Sequence, residues 1–326
     1  MITKDILFCG DTFFNKKVNL PKLNERYIVN LEAPITNSNN PITDKVNLKI
    51  DADAFIKTIN ENKPYAVNLS NNHIFDYGIE GVNDTIKLLN KLNIKHFGMS
   101  INNSDPSLII DEKFIILSYC CKSTHPKYNM GQYSIYDIDL NKIKNDIDIY
   151  KNKSYYIILQ LHWGDEEVFF PKPEDVNIAR SCIDIGADLI IGHHAHVIQS
   201  YEFYKDKNIF YGLGNFIFSD LDEPSYFDGK KFNRRYFKKQ FRFNRTSLAI
   251  TLESDLKIKK NYFYFNNQNI LKKYRRRLLF FNLTPLKPFF YNILKYLSIR
   301  YRMMYLFLNN PKILSYTRTK QFLGIK

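Results

Sequence analysis

The chain has 326 residues, of which 44% are hydrophobic and 25% charged, as is typical of a packed globular protein. This balance excludes intrinsic disorder as the main state, and the 12 Gly, 12 Pro and 4 Cys exclude a collagen-like repeat and a disulfide scaffold. The net charge of +14 comes almost entirely from residues 271–326, which hold 13 Lys and Arg and no Asp or Glu. This break in charge predicts one domain over residues 1–270 and a separate basic, aromatic-rich extension over residues 271–326.

Short apolar runs alternate with amphipathic stretches along the first domain. Runs rich in Ile, Val, Tyr and Phe predict seven strands, at residues 6–9, 27–31, 65–69, 114–119, 155–161, 188–191 and 209–213. Apolar residues at helical spacing predict helices at residues 51–62, 79–92 and 173–185. This alternation of strands and helices indicates a layered α/β fold.

The end of the first domain differs in pattern from the rest. Residues 220–245 are polar, aromatic and basic, and predict a loop or an insertion. The basic side chains in this segment either attract an anionic polymer or form an ordinary solvated loop; they are Lys230, Lys231, Arg234 and Arg235. Residues 247–253 and 257–265 then predict a closing pair of strands.

The basic extension predicts a helix over residues 289–308. On that helix Asn292, Lys295, Ser298 and Arg302 share a narrow polar stripe, and the remaining surface is mainly apolar. One interpretation is a helix that lies in an anionic membrane interface. The alternative is a helical subdomain that packs on the body or on a partner protein. Nucleic-acid binding is unlikely because no recognisable nucleic-acid-binding module accompanies the charge.

Targeting signals are not visible in the sequence. The first ten residues contain only a short apolar stretch, which does not match a signal peptide, and no segment offers about 20 uncharged apolar residues. The sequence therefore predicts neither a signal peptide nor a transmembrane helix. We expect a cytoplasmic protein, peripheral on the inner membrane face if its extension binds lipid.

Polar side chains follow five of the predicted strands. Ligands bind outside the carboxyl ends of strands in open α/β sheets, so these side chains are expected to converge. The potential metal donors among them are Asp11, Glu32, Asn71, His73, His162, His193, His194 and His196. Taken singly, each has a structural explanation: a hydrogen-bonded residue at a strand end for His162, a turn cap for Asp11, turn chemistry for Asn71 and a surface tract for residues 193–196. Imidazole and carboxylate together suit Mn, Fe or Zn, and the donors outnumber what one tetrahedral Zn needs, which predicts a two-metal centre.

The order of these motifs resembles a known family. Read along the chain, the motifs are Gly10-Asp11, Asn30-Leu31-Glu32, Asn71-Asn72-His73 with Asp76 and Gly78, His162-Trp163-Gly164, Gly192-His193-His194-Ala195-His196-Val197 and Tyr211-Gly212-Leu213-Gly214-Asn215-Phe216. Together they resemble the bacterial capsule-synthesis CapA (poly-γ-glutamate capsule) family and the wider calcineurin-like metallophosphoesterases. The resemblance covers residues 2–265. It implies a four-layer α/β/β/α sandwich with two divalent metal ions, Mn, Fe or Zn, at the strand ends.

The resemblance also implies roles for the individual metal donors. Asp11 and His196 would bind the first metal, and Glu32 would occupy the position of the bridging carboxylate. Asn71, His162 and His194 would bind the second metal. His193 is held in reserve as a metal or substrate ligand, because the family pattern of Gly-His-x-His is shifted here by one extra His.

Four further residues are expected to take part in the reaction or to contact the substrate. His73 would be the proton donor or the group that stabilises an oxyanion, and Asp76 would orient it. Trp163 and Asn215 are expected to contact the substrate. A metal-activated water would then hydrolyse a phosphoester or an amide of an anionic polymer.

Two positions depart from the family patterns. The phosphoesterase pattern begins Asp-x-His, whereas here Asp11 is followed by Thr12 and Phe13, so the first metal loses one imidazole. Ala195 stands where CapA proteins usually have Pro, which removes a backbone constraint but no donor. The resulting expectation is a metal-dependent hydrolase in capsule or surface-polymer biosynthesis. The alternatives are a non-catalytic polymer-binding or assembly protein on the same scaffold and a general phosphodiesterase.

Overall fold

The computed structural model describes residues 4–43, 45–274 and 287–309. Within these ranges the strands are β1 (Ile6–Phe13), β2 (Arg26–Leu31), β3 (Ala66–Asn68), β4 (Lys95–Phe97), β5 (Ser100–Ile101), β6 (Leu108–Ile110), β7 (Phe114–Cys120), β8 (Asn129–Met130), β9 (Tyr133–Ser134), β10 (Tyr156–His162), β11 (Leu189–His193), β12 (Tyr201–Tyr204), β13 (Lys207–Phe210), β14 (Asn215–Phe218), β15 (Leu221–Phe227), β16 (Phe232–Lys238), β17 (Thr246–Leu252), β18 (Ile258–Phe265) and β19 (Leu271–Lys273). The helices are α1 (Ala52–Ile59), α2 (Gly78–Lys91), α3 (Leu140–Lys151), α4 (Pro173–Ile185) and α5 (Pro288–Asn309).

Two large sheets form the centre of the fold. The first runs in the order β19-β18-β17-β1-β2-β3-β4, with β14 also paired to β1, and the second runs β12-β13-β11-β10-β7-β6. Strand β2 is parallel to both β1 and β3, and β10 is parallel to both β7 and β11. The carboxyl ends of these parallel strands therefore emerge together at one edge of each sheet.

Alternation along β1 shows how the layers are built. Ile6 and Phe8 point between the two sheets and pack with Ile116 and Ile158 of the second sheet. Their neighbours on β1 point the opposite way, into a core that α1 and α2 cover. The outer face of the second sheet packs in the same manner against α3 and α4. The predicted four-layer α/β/β/α sandwich is confirmed.

The predicted elements agree with the structure in type, with shifts at their ends. Each of the nine predicted strands overlaps an observed strand, and the helix at Pro173–Ile185 has the predicted bounds. Strand β1 continues to Phe13, four residues beyond the prediction, because its end pairs with both β2 and β14. Helix α3 and several short strands were not predicted, since α3 is largely polar and the strands offer too few residues for a period to emerge.

The last part of the chain extends this architecture in two ways. The predicted insertion at residues 220–245 contains a hairpin, β15 and β16, that forms a sheet of its own. Strand β19 pairs with β18, so the first three residues of the basic extension join the large sheet. Helix α5 follows, and within the described ranges no helix is both long and apolar enough to cross a bilayer.

Gly10 permits the close approach of β1 and β14 that positions Asp11. The backbone N–H of Asp11 donates to Gly214 O at 3.0 Å, and a methyl group on Gly10 would stand 1.8 Å from that same oxygen. We expect Gly10→Ala to lower the free energy of unfolding by about 3 kcal/mol, the upper end for an overpacked core, as measured by urea denaturation. In the control, Gly212→Ala, the methyl meets only side-chain atoms of Gln199, at 3.0–3.3 Å. Because these contacts are milder than one of 1.8 Å with backbone, the free energy of unfolding should fall by less. Equal losses would contradict this account.

Candidate metal centre

Five buried donors converge at the edge where the two sheets adjoin. Asp11 lies on β1, Glu32 follows β2, His162 ends β10, and His194 and His196 follow β11. They form two groups, Glu32 with His162 and His194, and Asp11 with Glu32 and His196, and within each group the potential ligand atoms lie within 4.8 Å of one another. Glu32 belongs to both groups, so its carboxylate can bridge two cations.

The spacing of the donors leaves room between them. His162 Nε2 lies 3.6 Å from Glu32 Oε1, and His196 Nδ1 lies 3.7 Å from Glu32 Oε2 and 3.6 Å from Asp11 Oδ2. The rings of His162 and His194 have centroids 4.8 Å apart. The distances between nitrogen and oxygen atoms exceed those of ordinary hydrogen bonds. These side chains therefore surround a common space without hydrogen bonds from one ligand atom to another.

The carboxylate of Glu32 tests whether the residues fit a metal. It is fully buried, and neither of its oxygens has a hydrogen-bond partner among the described residues. Burial raises the pKa of Glu32 well above its ordinary value, and the charge of Asp11 adds to this effect. A buried carboxylate without a partner is costly unless a cation balances it. Together with the surrounding imidazoles, it forms a donor set that fits Mn, Fe or Zn.

Burial also keeps the imidazoles in the form that binds metals. It lowers the pKa of His194 to about 4 and the pKa of His162 well below its usual value, and it lowers the pKa of His196 as well. These rings are therefore neutral at physiological pH, as metal ligands must be. For Asp11, burial opposes ionisation, but hydrogen bonding and charge from His193, with smaller contributions from His196 and Asn30, lower its pKa overall.

Backbone geometry orients Asp11 and the two histidines after β11. The pairing of β1 with its neighbours is irregular around Asp11, as at a β-bulge, and bulges often redirect side chains next to active sites. Asn30 Nδ2 donates to Asp11 Oδ1 at 2.8 Å, and the backbone N–H of His194 donates to Asp11 Oδ2 at 3.0 Å. His194 and His196 have backbone φ values of 83° and 55°, in the left-handed region that residues other than Gly rarely adopt. Such strain concentrates at functional sites.

The structure brings Asn72, and not Asn71, to the donor groups. Both ends of the Asn71 amide bind backbone: its Oδ1 accepts from His73 N at 3.0 Å, and its Nδ2 donates to Leu31 O at 2.9 Å. The neighbouring Asn72 presents its Oδ1 3.0 Å from His162 Nε2. Asn71 thus shapes the turn, and Asn72 is the amide available to a metal. Because the two Asn residues are adjacent and chemically identical, the sequence alone does not show which of them faces the metal donors.

His73 and Asp76 form a pair beside the centre. His73 Nδ1 lies 2.6 Å from Asp76 Oδ2, and the side chain of His73 remains 13% exposed. Asp76 is fully buried, accepts from Leu48 N at 2.7 Å and forms an ion pair with Lys45 Nζ at 2.5 Å. Asp76 is therefore held in place on two sides and can fix the orientation of the His73 ring. The sequence prediction did not include Lys45.

Three other predicted site residues occupy different places. Trp163 is buried in the core, where its Nε1 donates to Tyr211 O at 2.9 Å and its ring stacks on that of Tyr211. Asn215 Oδ1 lies 2.8 Å from His196 Nδ1, so Asn215 contacts a metal donor. Buried His193 has its Nδ1 3.3 Å from Asp11 Oδ1 and lies outside the two donor groups.

A cleft of about 350 Å³ opens onto the donors. Its walls include His73, His194 and His196 on one side and residues of the β15–β16 hairpin on the other. Basic side chains also line it: Lys45, His125 and Lys238. Lys238 is 4% exposed and forms ion pairs with Glu166 and Glu167 at 2.6 and 3.3 Å. Neither His125, which the sequence prediction left as structural, nor Lys238 carried a motif that would have identified it.

An apolar side chain occupies the position of the missing imidazole. Phe13 is buried, and its ring centroid lies 5.3 Å from that of Phe218. Phe218 in turn meets the ring of His196 edge-on at 4.7 Å. The phenyl ring of Phe218, with Phe13 packed against it, therefore borders the group around Asp11, which has one imidazole where the group around His162 has two.

Comparison with known proteins gives a consistent family. The family model described as "Bacterial capsule synthesis protein PGA_cap" matches residues 6–220. The chain is 32% identical over 177 residues to the capsule biosynthesis protein CapA of Bacillus anthracis, covering 50% of this chain and 42% of that protein. It is 29% identical over 205 residues to the PGA biosynthesis protein CapA of Bacillus subtilis, covering 58% and 52%. A probable polyglutamine synthesis accessory protein of Mycobacterium tuberculosis is 26% identical over 176 residues, covering 48% and 45%. The chain thus spans about half the length of these relatives.

The two adjacent Asn residues can be separated by experiment. Asn71→Ala removes two hydrogen bonds to buried backbone and should lower the free energy of unfolding by about 1–3 kcal/mol. Asn72→Ala should leave stability nearly unchanged but weaken the binding of Mn²⁺, measured by calorimetric titration, by about tenfold or more. The reverse pattern would assign the metal to Asn71, as the sequence predicted.

Proposed function

Because the chain belongs to the bacterial capsule synthesis protein PGA_cap family, we propose that it serves capsule or surface-polymer biosynthesis as a two-metal hydrolase. This membership confirms the resemblance drawn from the motifs. The observation that carries the enzymatic part is the buried carboxylate of Glu32, shared by two donor groups and without a hydrogen-bond partner among the described residues. A purely structural carboxylate would not be left in that state.

The residues divide naturally between two cations. Asp11, Glu32 and His196 would hold one, and Glu32, His162 and His194 would hold the other, with Asn72 as a further donor. When bound, such a pair lowers the pKa of a water molecule and stabilises both the attacking and the leaving oxygen of a displacement. Asn215 lies beside this group, with its Oδ1 next to Nδ1 of His196.

His73 is the group best placed to handle a proton. Its Nδ1 is engaged by Asp76, so its Nε2 is the nitrogen available to the cleft, of which His73 forms part of the wall. As the imidazolium, with Nδ1–H donated to the Asp76 carboxylate, the ring can pass its Nε2 proton to the oxygen or nitrogen of a leaving group. Lys45 pairs with the other carboxylate oxygen of Asp76, and this holds in place the carboxylate that orients His73.

Cations held by the donors would favour an anionic substrate in the adjoining cleft. The basic residues that line the cleft are Lys45, His125 and Lys238, but both lysines are ion-paired, Lys45 with Asp76 and Lys238 with Glu166 and Glu167. Carboxylates of a γ-linked glutamate polymer and phosphoesters share the negative charge that bound cations would attract. The names of the relatives, which refer to capsule, PGA and polyglutamine synthesis, favour the polymer as the first substrate class to test.

One observation favours a second candidate, a non-catalytic protein that binds or assembles the polymer. Phe13 supplies no ligand where the phosphoesterase pattern has an imidazole, so the group around Asp11 is depleted. If that group holds its cation too weakly, the fold would act as a scaffold. A general phosphodiesterase is less favoured, because that activity depends on the complete phosphoesterase pattern, including the imidazole that Phe13 replaces here.

Metal content per chain tests the proposal first. The protein would be purified without chelator from medium that contains Mn, Fe and Zn, and analysed by elemental mass spectrometry. We expect close to two ions per chain, and a clear loss in the doubly substituted His194→Ala/His196→Ala protein. Glu32→Gln should also lose metal while remaining folded, because it removes a buried charge that has no hydrogen-bond partner and preserves the shape of the side chain. Wild-type protein with no more metal than these variants would refute the hydrolase.

His73 can be tested separately from the metals. Once a phosphoester or poly-γ-glutamate substrate has been found, His73→Ala should lower kcat about 10²- to 10⁴-fold, because a general acid is lost. Its metal content should equal that of the wild type, since His73 lies outside both donor groups. His125→Ala removes an exposed His that lines the same cleft but lies outside both donor groups, and it should have a much smaller effect on kcat. Full activity of His73→Ala would contradict the assigned role.

A further inference from the structure

Helix α5 contacts the body of the protein through one stripe of polar side chains. Tyr291 Oη donates to Asp165 Oδ2 at 2.6 Å, and Lys295 Nζ donates to the same oxygen at 2.7 Å. Ser298, one turn further along, lines a cavity together with Phe243 of the body. Positions 291, 295 and 298 share one face of a helix, so this stripe is the side that faces the protein.

Most of the other described side chains of the helix are apolar and exposed to solvent. The large ones are 41–69% accessible, and they are Phe289, Phe290, Ile293, Tyr296, Leu297, Ile299, Tyr301 and Met304. A surface helix of a globular protein ordinarily shows the opposite arrangement, with its apolar stripe inward and its polar face outward. Here the polar stripe is inward, so the apolar face has no partner among the described residues of the chain.

The extension that contains this helix carries charge of one sign only. Residues 271–326 contain 13 Lys and Arg and no acidic residue. Arg300 lies within the apolar face, with its guanidinium over the ring of Tyr296 at 4.9 Å from the centroid. Phe243, itself 48% exposed, continues the apolar surface onto the body at the mouth of the cavity that Ser298 and Tyr301 line.

We propose that α5 is an interfacial helix that seats the protein on an anionic lipid bilayer. Aromatic and aliphatic side chains on one face, with Lys and Arg nearby, are the composition of helices that lie in the plane of the membrane surface. Anionic headgroups complement the uniformly basic extension. The helix is not long and apolar enough to span the bilayer, so it lies along the surface. A second copy is a poorer occupant, because a symmetric contact between two α5 faces would bring like charges together.

Co-sedimentation with vesicles tests this inference on the full chain. The protein would be treated with EDTA, so that the result does not depend on the metal centre. It would be mixed with vesicles of phosphatidylcholine alone or of phosphatidylcholine with 30% phosphatidylglycerol. We expect clear binding to the anionic vesicles, at least tenfold weaker binding to the neutral ones, and a decrease as salt rises.

Two variants with added charge separate the apolar face from the net charge. Ile293→Glu/Leu297→Glu places two carboxylates in the exposed apolar face and should weaken binding to anionic vesicles at least tenfold. The control is Asn267→Glu/Gln268→Glu, which adds the same charge at two exposed polar positions of the turn between β18 and β19, and should change binding less than threefold. Because the substituted Ile and Leu are exposed, the melting temperature should stay within about 2 °C of the wild type, since exposed sites contribute little to stability.

Three results would overturn the inference. They are no binding of the wild type to either vesicle, equal binding by both double variants, and a wild-type dimer, seen by light scattering, that the Ile293→Glu/Leu297→Glu change dissociates without any effect on vesicle binding. None of these results bears on the two-metal hydrolase, whose failure would be seen in metal content and not in lipid binding.

Discussion

The buried carboxylate of Glu32 is the constraint around which this protein is arranged. An ionised carboxylate is unstable in a dry interior unless a positive charge or several hydrogen bonds balance it. Among the described residues no hydrogen-bond donor serves either Glu32 oxygen, and two groups of neutral imidazoles and a second carboxylate share the space around it. The parallel strands supply the geometry, since five segments of the chain deliver one or two donors each to the same edge. The cation that we propose between the sheets would balance this carboxylate, and the fold brings the donors for it together.

The end of β10 and the loop that follows it connect this centre to the outer parts of the molecule. Within five residues this segment supplies His162 to the donors, Trp163 to the core, Asp165 to helix α5 and Glu166 to the ion pair with Lys238 of the hairpin. Each of these contacts is buried or charge-assisted, so a displacement of the loop would disturb all of them together. The hairpin and α5 are therefore attached through the same segment that carries a metal donor. A bilayer bound to α5 would therefore be connected, through this segment, to the residues that line the cleft.

The asymmetry between the two donor groups distinguishes this chain from the phosphoesterase pattern. The group around His162 has two imidazoles and an amide oxygen, whereas the group around Asp11 has one imidazole and faces Phe13 and Phe218. The chain compensates through orientation, with a bulge at Asp11, a hydrogen bond from Asn30 and left-handed backbone at His194 and His196. Replacement of the usual Pro by Ala195 does not release this conformation. The pairing of β1 with β14 and the bond from His194 N to Asp11 hold it instead.

The sequence by itself determined the layered fold, the strand ends that meet and most of the donors, including Asp11, Glu32, His162, His194 and His196. These follow from periodicity and from residue order, which are local properties of the chain. Only the tertiary structure decided that Asn72 faces the donors while Asn71 binds Leu31, that Trp163 lies in the core, and that the polar stripe of α5 faces inward. Each of these outcomes depends on a partner distant in sequence: Leu31 lies 40 residues from Asn71, and Asp165 lies 130 residues from Lys295. The direction of a side chain in a turn, or of a helix face toward its neighbour, is set by such partners and leaves no periodic trace in the sequence.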